Sequence, residues 1–140
     1  MQRGRRISFD YGDIRIGVAV CDPDGLISSP LAVLRAEDKN LRSDIQSFIA
    51  EYEPVQIFIG LPKQLSGAES SSAEKARTFG AMLAELSKIE IVYIDERLST
   101  VSAQSKLREA GKSTRESKEL IDAMAAVEIL ELGLQSARSS

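Results

Sequence analysis

A carboxylate stands in the middle of a stretch whose other features belong to a protein core. Residues 7–11 read Ile-Ser-Phe-Asp-Tyr, with Ile7 and Phe9 alternating with Ser8 and Asp10. That period of two is the pattern of a β-strand with one buried face. Residues 15–21 repeat it, with Ile16, Val18 and Val20 alternating with the small residues Gly17 and Ala19. Gly12 and Asp13 supply turn chemistry between the two runs, so they read as a hairpin, and Gly17 allows close backbone approach. A carboxylate in a strand of this kind is costly unless something pairs with it. Whatever gathers around Asp10 therefore bounds what the chain can do.

The segments that follow are legible in order. Asp22-Pro23-Asp24-Gly25 is a turn signal, and a third strand is expected over about residues 26–34. Leu41, Ile45, Phe48, Ile49 and Tyr52 have helical spacing across residues 39–52, and Pro54 closes that helix. Residues 55–59 form an apolar run, the mark of a buried parallel strand, ending at Gly60-Leu61-Pro62. Residues 63–72 are a polar loop, a candidate active-site flap whose composition equally suits a solvated connection. A second helix is expected over 72–88, with Ala76, Phe79, Leu83 and Leu86 on one stripe, then a fifth strand over 91–95. A short helix is expected from Ser99 or Thr100 to Ala110, with Gly111 as its stop. The last helix opens on the capping box Ser113-x-x-Glu116 and runs to about Gln135, with Leu120, Met124, Val127, Leu130 and Leu134 as its main apolar stripe. No repeat or linker interrupts the 140 residues, so one domain is expected over 1–140, with an ordered core over about 5–134 and a disordered tail over 136–140. Strand-helix-strand links between parallel neighbours cross over right-handed. The result is an α/β fold: a five-stranded mixed sheet, three meander strands plus two parallel ones, flanked by helices. That is the ribonuclease H-like arrangement.

Composition removes several chemistries. There is no histidine, and Cys21 is the single cysteine. Ser-His-Asp and Cys-His catalysis, zinc held by histidine or a cysteine cluster, and an internal disulfide are all excluded. Carboxylates remain, and they suit hard cations such as Mg²⁺ or Mn²⁺. Three stand where core is expected: Asp10, Asp95 at the end of the fifth strand, and Asp122 on the small-residue side of the last helix. Parallel strands present ligand-binding residues at their carboxyl ends. Together the three would repel and raise one another's pKa, and a divalent cation would relieve that conflict. Two ions about 3.5–4 Å apart would hold an attacking water and the leaving oxygen of a phosphodiester. Each acid has a plainer reading when taken singly. Asp10 is then a turn residue, Asp95 pairs with Arg97 or caps the helix at Ser99, and Asp122 pairs with Lys118 one turn earlier. Between Asp95 and its neighbour Glu96, we expect Asp95 to face the metal because it shares parity with Ile91 and Tyr93, with Glu96 in reserve. Arg97 and Lys118 are candidate phosphate contacts, Gly12 leaves room for a phosphate, and Arg15 reads as fixing the hairpin turn. The net charge of −3 confines nucleic-acid binding to local basic patches.

One set of motifs runs through nearly the whole chain. It comprises Phe9-Asp10-Tyr11-Gly12 with Arg15-Ile16-Gly17-Val18-Ala19-Val20, Gly60-Leu61-Pro62 and Gly67, Asp95-Glu96-Arg97-Leu98-Ser99-Thr100 with Ala103, and Lys118-x-x-x-Asp122-x-x-Ala125-Ala126-x-x-Ile129-Leu130. In this the sequence resembles the YqgF family of Holliday junction resolvase-like proteins, also described as pre-16S ribosomal RNA nucleases. Departures are small: Cys21 and Ser99 stand where serine and threonine are common, and Lys63 to Ser66 differ from the usual loop. The resemblance implies a ribonuclease H-like fold, a cytoplasmic location and metal-dependent phosphodiester cleavage, with catalytic and metal-binding roles for Asp10, Asp95 and Asp122. The expected function is a Mg²⁺- or Mn²⁺-dependent nuclease trimming the 5′ end of precursor small-subunit ribosomal RNA, a monomer or homodimer working near ribosomal particles. The alternatives are a branched-DNA endonuclease of recombination and repair, which needs a symmetric dimer, and a non-catalytic nucleic-acid-binding module. No apolar run approaches the roughly 18 residues of a membrane span, so no membrane partner is expected.

Overall fold

The computed structural model describes residues 1–62, 66, 68–98 and 115–139. Five strands form one sheet: β1 (Arg6–Tyr11), β2 (Arg15–Cys21), β3 (Ser28–Arg35), β4 (Gln56–Leu61) and β5 (Glu90–Asp95), in the order β3-β2-β1-β4-β5. The hairpin pairs are antiparallel, with Asp10 opposite Gly17, while β4 runs parallel to both β1 and β5, with Leu61 opposite Asp95. Three helices are described: α1 (Leu41–Tyr52), α2 (Ser71–Leu86) and α3 (Arg115–Arg138). The expected ribonuclease H-like sheet is present. The expected helix over Ser99–Ala110 with its stop Gly111, the capping residue Ser113 and part of the polar loop, Lys63–Leu65 and Gly67, lie outside the described residues.

Boundaries differ where side chains take over backbone hydrogen bonds. Strand β3 begins at Ser28, later than the apolar run, because Asp22 Oδ1 accepts the N–H groups of Leu26 and Ile27 at 2.7 and 2.6 Å. That local turn replaces ladder pairing and leaves Leu26 and Ile27 exposed. Helix α2 begins at Ser71 because the Ser70 hydroxyl accepts the Ala73 N–H. The tail is also corrected: α3 continues to Arg138, whose guanidinium bonds the Gly25 carbonyl and ties the helix end to the β2–β3 turn.

The two sheet faces are unlike. On one, Ile7, Phe9, Ile16, Val18, Ile57 and Ile59 are fully buried and pack with Ile45 of α1 and Phe79 and Leu83 of α2. The Phe9 and Phe79 rings meet edge-on at 5.4 Å, a favoured aromatic geometry. The other face carries Ser8, Asp10, Gly17 and Ala19, and α3 lies on it through Ala126, Ile129, Leu130 and Leu134. The expected stripe of α3 holds only in its second half: Leu130 and Leu134 are buried on the sheet, whereas Leu120 is exposed, Met124 and Val127 are only partly buried, and Ala125, Ala126 and Ile129 take their place against the strands. Small residues on both surfaces allow this close approach. A Cβ on Gly17 would strike the carbonyl oxygen of Asp122, and one on Gly133 would overlap the Phe58 ring. Ser8 Oγ donates to the Ala126 carbonyl at 2.5 Å, satisfying a buried hydroxyl and fastening α3 to β1. Gly17→Val is expected to cost about 1–3 kcal/mol in denaturant unfolding by forcing α3 off β2. Unchanged stability would show that α3 does not depend on this contact.

Candidate active site

Strand parity decides which acids meet. Ser8 and Asp10 point away from Ile7 and Phe9, toward α3. Along β5, Ile91 and Tyr93 pack with the α1–α2 face, whereas Val92 and Ile94 pack with α3. Glu96, at the start of a 3₁₀ turn over Glu96–Leu98, continues the second set. Its carboxylate is hydrogen-bonded to that of Asp10. Gly60 of β4 makes room for it, since a Cβ there would collide with Glu96 Oε1 and with Ile129.

Asp95 goes elsewhere. Its Oδ1 accepts the Arg97 backbone N–H at 3.0 Å, and its carboxylate takes Arg97 Nε at 3.0 Å and Nη2 at 2.6 Å. The expectation that Asp95 faces Asp10 is thus corrected: the reserve acid, Glu96, occupies that place. The physical reason is that the α3 face, and not the face of Ile91 and Tyr93, holds Asp10. Arg97, expected at a phosphate, is engaged by Asp95.

Asp122 projects from α3, and its charge reaches Asp10. Its Oδ2 is held by Arg15 Nε at 2.5 Å, with both side chains less than a quarter exposed. The guess that Asp122 pairs with Lys118 is replaced by this longer-range contact, and Lys118 is exposed one turn earlier on α3. Arg15 does fix the turn as well, through its backbone carbonyl, which accepts the Gly12 N–H at 3.0 Å. That carbonyl fills the space expected to hold a phosphate beside Gly12: a Cβ on Gly12 would lie 2.7 Å from it.

The electrostatics follow from crowding. Burial pushes the Asp10 carboxyl well above the ordinary carboxylate range, and the charges of Glu96 and Asp122 push it further. Burial also raises Glu96, with Asp95 adding to the rise, while the hydrogen bond from Asp10 opposes it. Their shared hydrogen bond favours Asp10 as the donor and Glu96 as the acceptor, and the two titrate as a pair. An all-oxygen donor set of carboxylates that retains a proton for want of positive charge fits a hard divalent cation. Among the described residues, however, no group of three or more acidic or cysteine side chains is gathered closely enough to hold a metal ion. Asp10 and Glu96 meet, and Asp122 stands apart on Arg15.

Sheet order, helix placement and carboxylates at the carboxyl ends of parallel strands define an α/β domain of ribonuclease H-like fold. The structure of RuvC from Thermus thermophilus in complex with a Holliday junction substrate matches with a TM-score of 0.59 at 13% identity, covering 96% of each chain. A second structure of RuvC from the same organism gives 0.51 at 12% identity, covering 96% of each chain. The sequence profile described as RuvX, Holliday junction resolvase, matches residues 4–136, so the chain belongs to that family. A relative from Streptomyces coelicolor is 40% identical over 142 residues, spanning 100% of this chain and 85% of its own. One from Mycolicibacterium smegmatis is 41% identical over 144 residues, spanning 99% and 84%. Both carry the name "Putative pre-16S rRNA nuclease". No helix among the described residues is long and apolar enough to cross a membrane.

A carboxyl whose native pKa is raised binds its proton more tightly in the folded state than in the unfolded one. The stability it contributes is then fully present below the ordinary carboxylate pKa and is lost as pH climbs through the raised native value. Metal-free protein should accordingly lose melting temperature as pH rises from about 4 upward. Asp10→Asn should abolish most of that loss and be about 1–2 kcal/mol more stable than the parent at neutral pH. Thermal melts of the two across pH test this; a variant less stable at every pH would contradict a strained acid pair.

Proposed function

We propose that this chain is a divalent-cation-dependent nuclease that hydrolyses phosphodiester bonds of precursor small-subunit ribosomal RNA in the cytoplasm. The observation that carries the reading is the Asp10–Glu96 carboxyl pair, half-buried near the carboxyl ends of parallel strands where the charge of Asp122 reaches Asp10. The RNA assignment is supported by the names of relatives about 40% identical over the full chain.

Asp10 and Glu96 would hold the cation, Mg²⁺ or Mn²⁺, with Asp122 as the third carboxylate. Such an ion supplies Lewis-acid charge to a phosphoryl oxygen and lowers the pKa of bound water. The protein's own residues do the remainder. A cation held by Asp10 and Glu96 would oppose the burial and mutual repulsion that raise both carboxyls, and so would favour their anionic forms. Ile129 and the α3 backbone close one side of the site and limit water. Lys118, exposed on the helix that carries Asp122, is placed to meet the substrate backbone, and Arg97 would do so once released from Asp95.

The test is cleavage of a precursor ribosomal RNA fragment with Mn²⁺. Asp10→Asn and Glu96→Gln should each lower the rate by about 10²-fold or more. Asp95→Asn should cost far less, because that carboxylate holds Arg97 rather than the pair. The reverse ordering, with Glu96→Gln active and Asp95→Asn dead, would overturn the assignment of the acids.

The description of the matched family favours a second reading, cleavage of Holliday junctions. That activity needs two sites related by symmetry. A chain that sediments as a monomer on junction DNA and leaves it uncut would remove this reading.

A further inference from the structure

We propose that Arg15 is a positioning residue that stands in for a cation: its guanidinium holds Asp122 until a divalent ion takes the carboxylates, and it then turns to the substrate phosphate. The inference rests on the nuclease reading above and extends it to the order in which the site assembles.

The geometry supplies the parts. Arg15 and Gly17 lie on the α3 face of β2, and the bare Gly17 lets the Asp122 backbone settle directly on the strand. Asp122 is thereby fixed within reach of Arg15, and the ion pair is short, at 2.5 Å. The Arg15 backbone cannot follow its side chain, because its carbonyl closes the Gly12 turn and its strand pairs with Arg35 of β3. Any exchange of partners is therefore a side-chain rotation. The partially buried position limits screening by water, so the contact carries weight that a surface pair would lack.

The ion pair ends on the one acid of the three that is not already engaged by another carboxyl. Asp10 and Glu96 are hydrogen-bonded to each other, and Asp122 is ion-paired with Arg15. A pair that only braced β2 against α3 would be indifferent to what enters between the acids. A divalent cation that drew on the Asp122 carboxylate would compete with the Arg15 guanidinium for its oxygens, which would make the two contacts mutually unfavourable. Displaced, the guanidinium is left one side chain from the site, and its planar fork suits a phosphate.

The experiment titrates Mn²⁺ into metal-free protein by calorimetry, with no nucleic acid present, using the parent, Arg15→Gln and Asp122→Asn. Removing the internal competitor should make Arg15→Gln bind Mn²⁺ about three- to tenfold more tightly. Asp122→Asn should bind more weakly. Arg15→Gln should nonetheless raise KM for RNA more than it lowers kcat, a split that loss of a brace alone would not produce. Circular dichroism checks that each variant is folded; should Arg15→Gln not fold, Arg15→Lys keeps the charge, and its Mn²⁺ affinity should lie within about twofold of the parent. Folded Arg15→Gln binding Mn²⁺ no better than the parent, or folded Arg15→Lys binding it several-fold more weakly, would overturn the role of Arg15. A parent protein that binds no Mn²⁺ would instead overturn the nuclease reading beneath it.

Discussion

Two carboxyl groups at hydrogen-bonding distance, both partly removed from water, cannot both carry charge without help. Asp10 and Glu96 are in that position, and much of the local structure exists to keep them there. Gly60 gives Glu96 its space, and the Ser8–Ala126 hydrogen bond fastens α3 beside Asp10. An arrangement that opposes folding has to be offset elsewhere. The offset comes from the far side of the sheet, where Phe9, the neighbour of Asp10 and so of opposite parity, packs on Phe79 in an apolar layer.

That division between faces is the design of the domain. Large branched side chains under α1 and α2 supply cohesion. Small ones under α3 supply proximity: glycine and alanine on β2 meet alanine on α3, so the helix backbone comes close enough for the charge of Asp122 to reach Asp10, although Asp122 itself is held on Arg15. A helix carried on leucines would stand too far from the sheet for a side chain as short as aspartate to reach. Close approach also places Asp122 beside Arg15, so the same packing that delivers the third acid delivers its counter-charge.

The fold was legible because its elements carry clean periods, and the mixed sheet follows from their order. Asp10 on the first strand, Asp95 at the end of the fifth and Asp122 on the last helix stand out in the sequence as carboxylates where core is expected, and the structure puts Glu96 beside Asp10 in the place expected of Asp95. The choice between Asp95 and Glu96 was misjudged by one residue for a definable reason. Parity was referred to Ile91 and Tyr93, which face α2, whereas Asp10 shares its parity with Ser8, on the opposite side from Ile7 and Phe9. Gly60 was the second clue: a strand residue without a side chain marks the place where Glu96 fits. The Arg15–Asp122 pair was not legible, because 107 residues separate the partners and local spacing favours Lys118. The face of α3 is legible in its second half, where Leu130 and Leu134 are buried as their spacing expects, but not nearer Asp122, where Leu120 is exposed and the sheet accepts Ala125 and Ala126 because Gly17 and Ala19 leave room only for small residues.

The most direct measurement is an anomalous difference map from crystals soaked in Mn²⁺. The account requires an ion coordinated by the carboxylates of Asp10 and Glu96, with Asp95 still turned to Arg97. Manganese bound to Asp95 with Glu96 uninvolved, or saturating manganese that leaves Asp10 and Glu96 hydrogen-bonded to each other, would contradict it.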